Sequence, residues 1–253
     1  AYGILPEDLE TKLAELKARG KQCKFIYLVP DFQNPTGTTI PEDRRLQILE
    51  LAQKYNTFIL EDSPYRQVRF EGTSPRTFYA LDNGRGNVIT MFTFSKVFVP
   101  GFRLGYIVGP EDVIRKYVIL KQAMDLCTSP ILQLATGEYL RSGMLMQHVK
   151  EIIASYREKR DLMLETLAKY MPKNVSWTRP EGGLFLWLTL PKHMNATDLL
   201  PKAIENKVAY VAGVDFYPQG DVFNDMRLNF SYSTKEQIVE GLKRLAQTIK
   251  DNL

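Results

Sequence analysis

The sequence predicts an α/β protein in which a three-layer α/β/α unit with a mostly parallel sheet is followed by a smaller α+β unit. Helical and strand patterns alternate along the first half of the chain, three successive predicted strands end in polar residues, and a long amphipathic helix precedes a group of short strands. We place the division after residue 145, so that the larger unit covers residues 1–145 and the smaller unit covers residues 146–253.

In the larger unit, a proline followed by two acidic residues opens each of the predicted helices, at Pro6, Pro41 and Pro110. The segment from Ala80 to Asn87 contains two glycines and is predicted to be a loop. Apolar runs predict strands at about 25–30, 57–62, 88–94 and 104–108.

The smaller unit begins with a helix from about Leu145 to Tyr170. Its apolar side chains recur at helical spacing, at Val149, Ile152, Ile153 and Tyr156. A closing helix is predicted from about Thr234 to Lys250. Between the two helices, short strands are predicted within Trp177 to Leu190, Val208 to Val211 and Met226 to Ser231.

Composition excludes several classes of function. The chain is 44% hydrophobic and 25% charged, as in ordinary globular proteins. A net charge of +4, from 33 basic and 29 acidic residues, is too small to indicate nucleic-acid binding. No apolar stretch is long enough to span a membrane and no signal peptide is visible, so we expect a cytoplasmic protein. The two cysteines and two histidines lie outside every motif, and we therefore expect no metal site.

Lys96 is the most informative residue. It follows an apolar run, with the hydroxyl residues Ser95 and Thr93 just before it and Arg103 seven positions after it. A lysine at the end of a buried strand can lose its proton by desolvation and become a nucleophilic amine. Such an amine, beside hydroxyl donors and a guanidinium suited to a phosphate, is what pyridoxal phosphate chemistry requires. A Ser-Lys pair in isolation would instead indicate a solvated lysine.

Two earlier strands also end in polar groups. Asn34, in an Asn-Pro-Thr-Gly sequence, follows the first predicted strand, and Asp62 and Tyr65 follow the second. Alone, the first motif is compatible with an ordinary turn and the strand-terminal Asp62 with a cap. Their repetition at the carboxyl edge of successive strands, where open α/β sheets bind ligands, favours a site.

Together these motifs resemble those of the fold-type I pyridoxal-phosphate aminotransferases, in the branch with aromatic-amino-acid, 2-aminoadipate and kynurenine aminotransferases. The resemblance covers essentially the whole chain, and its later markers are Pro180 to Trp187 (PEGGLFLW) and Met226 to Ser231 (MRLNFS). It implies the transfer of an amino group between an amino acid and a 2-oxo acid, with pyridoxal 5'-phosphate as cofactor and a homodimer as the assembly. Which amino acid and which 2-oxo acid are used stays open.

The resemblance also implies a role for each residue. Lys96 would form the Schiff base with the cofactor and then move the substrate's α-proton. Asp62 would face the pyridine nitrogen, where its charge favours the protonated, electron-accepting ring. Asn34 and Tyr65 would hydrogen-bond the phenolic oxygen. Arg227 would bind the substrate's α-carboxylate, with Asn34 beside it.

The cofactor's phosphate would be held by Thr93, Arg103 and Ser95. Thr93 replaces a serine that is more usual in the family but keeps the hydroxyl group. Because family members are longer, we expect that residues 1–145 form only part of the large domain. The four strands would then form one block whose two edges another segment or chain completes, and residues 1–253 alone would be inactive.

Two other functions remain open. The same fold occurs as the pyridoxal-phosphate-sensing effector domain of winged-helix transcription regulators, and also in carbon–sulfur lyases. Asn34 favours the aminotransferase, because the regulators usually carry a bulkier residue at this position.

Overall fold

The first sheet positions most of the predicted functional residues, and Arg227 lies on the second sheet. The computed structural model describes residues 3–253, which contain two four-stranded sheets. The first sheet has the order β1-β2-β3-β4, with β1–β3 parallel and β4 antiparallel to β3. This confirms the predicted α/β class and the contiguous block of four strands. The strands are β1 (Phe25–Leu28), β2 (Phe58–Asp62), β3 (Val88–Thr93) and β4 (Gly105–Val108).

One face of this sheet packs against helices. The three helices α1 (Pro6–Ala18), α2 (Glu42–Lys54) and α3 (Phe78–Asp82) supply buried side chains to a core that also contains alternate residues of the strands. The strand residues in that core are Ile26, Leu28, Ile59 and Val88. Side chains alternate along a strand, so Tyr27, Asp62 and Thr93 lie on the opposite face.

The loop predicted from Ala80 to Asn87 is wrong at its start, because the helix α3 extends to Asp82. Thr77 accepts a hydrogen bond from the Ala80 N–H over 3.1 Å and so caps the helix. The carboxylate of Glu61, which is fully buried, accepts the N–H groups of Phe78 and Tyr79 over 3.0 and 3.2 Å. Burial raises the pKa of Glu61 despite these hydrogen bonds. The partner that fixes the helix start is thus distant in sequence and invisible to local patterns.

Three helices connect the two sheets. They are α4 (Glu111–Asp125), α5 (Pro130–Arg141) and α6 (Met144–Tyr170), of which α5 was not predicted. The predicted long helix is confirmed as α6. Its buried residues include Val149, Met163 and Leu167, which join the core of the second sheet.

The second sheet is antiparallel throughout, with the order β5-β6-β8-β7. Its strands are β5 (Ser176–Trp177), β6 (Phe185–Thr189), β7 (Val211–Ala212) and β8 (Asp225–Asn229). The helices α7 (Ala196–Glu205) and α8 (Lys235–Lys250) complete this part of the fold, and Thr234 with Gln237 forms a capping box at the start of α8. The strand predicted at Val208 to Val211 begins only at Val211.

A close backbone contact joins the segment after Tyr65 to the start of β6. The Gly183 N–H donates to the Val68 carbonyl oxygen over 2.8 Å, and Arg69 forms a β-bridge with Gly182. A Cβ at Gly182 would collide with the ring of Phe32 and with the Val68 carbonyl oxygen. Only glycine, which has no Cβ, therefore fits at position 182.

None of the helices within residues 3–253 is both long and apolar enough to cross a membrane.

Candidate active site

The Asn-Pro-Thr-Gly motif forms a tight loop between β1 and α2. The Gln33 N–H donates to the Thr38 carbonyl oxygen over 2.9 Å, and the Gly37 N–H donates to the Gln33 carbonyl oxygen over 2.6 Å. Gly37 has a φ of +70°, and a Cβ there would lie 2.6 Å from the Phe185 carbonyl oxygen. Glycine thus lets the loop approach β6 and hold Asn34 beside that strand.

A buried ionic cluster anchors this loop. The fully buried carboxylate of Asp31 accepts hydrogen bonds from Arg45 over 2.8 Å and from Arg66 over 3.1 Å. The guanidinium of Arg45 is also fully buried, and its donors also reach the carbonyl oxygens of Ile40, Arg76 and Pro30. Such a pair is stable because its hydrogen-bonding groups are satisfied. The cluster connects the Asn34 loop to α2 and to the residue after Tyr65.

Asn34 and Arg227 meet although they lie 193 positions apart. Arg227 Nη1 donates to Asn34 Oδ1 over 2.7 Å. The guanidinium lies 4.3 Å from the ring centroid of Phe185 and 5.4 Å from that of Phe216. Burial lowers the pKa of Arg227. Within residues 3–253 its side chain makes no other hydrogen bond, so its remaining donors can bind a carboxylate.

Asp62 and Tyr65 lie at the carboxyl end of β2. Tyr27 Oη donates to Asp62 Oδ2 over 2.6 Å. The buried ring of Tyr65 packs edge-on against Phe185, with the ring centroids 5.8 Å apart. Burial raises the pKa of Tyr65, the charge of Arg227 opposes this rise and the charge of Asp62 adds to it. Arg227 and Asp62 therefore both lie close enough to Tyr65 to influence the pKa of its phenol.

The predicted lysine and phosphate-binding residues lie together after β3. Thr93 Oγ1 donates to Ser95 Oγ over 3.0 Å, and the Ser95 N–H donates to Thr93 Oγ1 over 3.1 Å. Lys96 is half-buried in the following turn, and its ammonium makes no hydrogen bond or ion pair with the residues that the structure describes. Arg103 is exposed, has a φ of +54°, and donates to the Pro100 carbonyl oxygen over 3.3 Å.

The predicted site residues form two groups at one edge of the first sheet. The two groups are adjacent because one follows β2 and the other follows β3, and these strands are parallel neighbours with Asp62 paired to Met91. One group contains Asn34, Asp62, Tyr65 and Arg227, and the other contains Thr93, Ser95, Lys96 and Arg103. No metal-binding group of three or more His, Cys, Asp or Glu side chains occurs in the part of the chain from residue 3 onwards.

Three residues of the site were not predicted from the sequence: Tyr27, Asp31 and Phe185. The alternation of β1 could have indicated Tyr27, because Ile26 and Leu28 point into the helix-covered core and leave Tyr27 on the face of Asp62. Phe185 lies in the apolar motif from Pro180 to Trp187. Asp31 had no local signal, because its partners lie 14 and 35 positions away.

Comparison with known proteins agrees with this geometry. The chain is 46% identical over 251 residues to aromatic-amino-acid aminotransferase 1 of Thermococcus litoralis, covering 99% of this chain and 60% of that protein. It is 37% identical over 229 residues to the 2-aminoadipate transaminase of Thermus thermophilus, covering 90% of this chain and 57% of the relative.

Among solved structures, that of Pyrococcus horikoshii kynurenine aminotransferase in complex with PMP matches with a TM-score of 0.96 and 49% identity. The match covers 99% of this chain and 62% of that structure. The chain thus spans about 60% of the length of the curated relatives it matches. Residues 1–245 match the model of the family described as aminotransferase class I and II. The chain belongs to the class I and II aminotransferases, and the predicted family is confirmed.

Proposed function

We propose that the protein transfers an amino group between an amino acid, aromatic or 2-aminoadipate-like, and a 2-oxo acid, with pyridoxal 5'-phosphate as cofactor. The observation that carries this proposal is the contact between Arg227 and Asn34, which brings a carboxylate-binding cation to the edge of the sheet that holds Asp62 and Tyr65. The activities for which the two relatives are named support the same reaction and the same range of amino acids.

The residues present fit pyridoxal phosphate. Asp62 has one oxygen held by Tyr27, and its Oδ1 accepts no hydrogen bond within residues 3–253, so it is free for a protonated ring nitrogen. Thr93 and Ser95 supply hydroxyl donors suited to a phosphate, and Lys96 supplies an amine without an ion-pair partner. When bound, pyridoxal phosphate accepts the electrons that are released as the α-proton leaves the amino acid.

The protein's own residues would have the following roles in the reaction. Lys96 Nζ would hold the cofactor covalently and, once substrate had freed it, would take the proton from the substrate's α-carbon. Asp62 holds the ring nitrogen in its protonated form through its negative charge. Asn34 and Tyr65 donate hydrogen bonds to the phenolic oxygen. Arg227 orients the amino acid by its α-carboxylate, which places the α-proton within reach of Lys96.

The remaining residues hold the other end of the cofactor. Thr93, Ser95 and Arg103 would bind the phosphate, which fixes the position of the ring relative to Asp62. Arg103 donates only to the Pro100 carbonyl oxygen within the described residues, so most of its donors are available.

Asp62→Asn is expected to lower turnover by at least about 10²-fold, in line with the loss of one strong electrostatic contact. Asparagine keeps the size of the side chain but removes the charge that stabilises a protonated ring nitrogen. Steady-state rates measured at saturating cofactor would test this. An Asn variant with near-normal turnover would show that the carboxylate that faces the ring is another residue.

Arg227→Lys is expected to raise the Michaelis constant for the amino acid by about 10- to 100-fold, the effect of losing one charge-assisted hydrogen bond. A lysine cannot form the bidentate pair, and it loses the planar contact with Phe185. Arg244→Lys, on the exposed ion pair with Glu240, is the matched control and should change nothing. Loss of cofactor binding with unchanged substrate affinity would assign Arg227 to the cofactor instead.

We also propose that the protein is a cytoplasmic homodimer and that this region binds neither nucleic acid nor a membrane. We further propose that the chain divides into two domains after residue 145. Support for the division comes from the first sheet, which lies entirely before residue 146, and the second, which lies after it. Support for self-association comes from apolar side chains that are at least 70% exposed on and beside α4 and α5. These are Met124, Leu126, Ile131 and Leu134.

An amino-transfer assay tests the proposed function. The full-length protein is incubated with pyridoxal phosphate, 2-oxoglutarate and either an aromatic amino acid or 2-aminoadipate, and the formation of glutamate is followed. We expect transfer from at least one of these donors. Tight cofactor binding without transfer from any amino acid would contradict the proposal and favour an effector domain. Elimination of sulfide from a sulfur amino acid would indicate the lyase. The names of the two relatives at 46% and 37% identity support the aminotransferase over both alternatives.

A further inference from the structure

A tyrosine hydroxyl lies against the carboxylate of Asp62. Tyr27 Oη donates to Asp62 Oδ2 over 2.6 Å, a short distance that is typical of a hydrogen bond to a charged acceptor. Tyr27 is paired with Leu60 in the parallel register, so Asp62, two residues further along β2, is its diagonal neighbour on the same face. The contact therefore follows from the register of two neighbouring strands rather than from a mobile loop.

We propose that Tyr27 is a positioning residue that orients the carboxylate of Asp62 towards the ring nitrogen of the cofactor and so strengthens cofactor binding. The proposal rests on the proposed function, in which Asp62 faces that nitrogen. Tyr27 makes no direct contact with the ring in this role. It acts on the cofactor only through the side chain of Asp62.

In this contact Tyr27 is the hydrogen-bond donor and Asp62 is the acceptor. Burial, reinforced by the hydrogen bond to Asp62, raises the pKa of Tyr27 well above its ordinary value, so the phenol keeps its proton and remains a donor. Within residues 3–253 the phenol donates only to Oδ2, and Oδ1 accepts no hydrogen bond. One oxygen is therefore held by the protein and the other can accept from a ligand.

The position of Tyr27 also favours a role beyond packing. The residue is 53% exposed, whereas its neighbours Ile26 and Leu28 are each 7% exposed and belong to the core. Removing the hydroxyl therefore leaves the core of the sheet unchanged. A stability loss is not expected from Tyr27→Phe, so any effect on the cofactor reports on the contact with Asp62.

A double-mutant cycle tests the proposal, with the dissociation constant of pyridoxal phosphate as the measurement. The variants are Tyr27→Phe, Asp62→Asn and the double variant, and each is titrated with cofactor and followed by absorbance. We expect Tyr27→Phe to weaken binding by about 10-fold, the effect of one hydrogen bond to a charged group. In the Asp62→Asn background the same change should weaken binding by less than about 3-fold, because the charged acceptor is gone.

Tyr106→Phe is the matched control. Tyr106 lies on β4 of the same sheet, is 47% exposed, and its hydroxyl makes no hydrogen bond within the described residues. Its replacement should leave the dissociation constant unchanged, and thermal unfolding of each cofactor-free variant checks that the fold is intact.

The outcomes separate the two claims. If Asp62→Asn weakens cofactor binding but Tyr27→Phe does not, the role of Tyr27 is overturned and the proposed function stands. The same holds if Tyr27→Phe weakens binding equally in both backgrounds, because Tyr27 then acts independently of Asp62. If Asp62→Asn leaves cofactor affinity unchanged, the assignment of Asp62 fails, and the role of Tyr27 fails with it.

Discussion

Replacing Lys96 with alanine is expected to lower amino-transfer turnover by about 10⁴-fold or more, because in the proposed function one amine carries both the covalent attachment and the movement of the α-proton. Lys159, on α6, donates to the Ser231 carbonyl oxygen over 3.0 Å, so its ammonium is already engaged. Single-turnover mixing of the cofactor-loaded variant with an amino acid would measure the remaining rate.

Lys159→Ala is the matched control, because this lysine is also half-buried but its ammonium already has a backbone partner. We expect its turnover to stay within a few-fold of the unmodified protein, roughly the effect of one ordinary hydrogen bond. Comparable losses in the two variants would mean that the effect of Lys96→Ala comes from general destabilisation. A Lys96→Ala protein with substantial turnover would remove Lys96 from the mechanism.

Replacing Asp31 with asparagine is expected to reduce the free energy of unfolding by about 3–5 kcal/mol. Asparagine preserves the volume of the side chain, so no cavity forms. It leaves the guanidinium of Arg45, which is fully buried, without its counter-charge, and it weakens the link to Arg66. Urea denaturation of the cofactor-free protein measures this loss. Because Asp31 anchors the loop of Asn34, we also expect weaker substrate binding in the variant that remains folded.

Glu240→Gln provides the comparison for Asp31→Asn. Glu240 pairs with Arg244 over 2.8 Å, but both side chains are at least 40% exposed, and such surface pairs contribute at most about 1 kcal/mol. A loss for Asp31→Asn no larger than the loss for Glu240→Gln would show that the buried cluster does not hold the loop in place.

Much of the first sheet could be predicted from the sequence. Each of its strands is a short apolar run between turn residues, and each of its first three strands ends in polar residues that sequence patterns reveal. The residues at these ends, Asn34, Asp62 and Thr93, do lie at one edge in the structure, because parallel strands bring their carboxyl ends together. The family was recognised from the same residues.

Other features depend on partners that are far away along the chain. The helix α3 starts where Glu61 accepts its first N–H groups, and Glu61 lies 17 positions before Phe78. The contact of Arg227 with Asn34 requires the second sheet to pack against the Asn34 loop. The alternation of β1 could place Tyr27 on the face opposite the helices, but only the register with β2 shows which group its hydroxyl meets. Local patterns reveal none of these long-range partners.

Borohydride reduction of the pyridoxal-phosphate complex, followed by mapping of the modified peptide, tests the central claim most directly. The reagent fixes the cofactor to the amine that holds it, and the label identifies that amine without any assay of turnover. We predict a single labelled peptide that contains Thr93 to Arg103, with the modification on Lys96 and its loss in Lys96→Ala. A label on any other lysine, with Lys96 unmodified, would contradict the account.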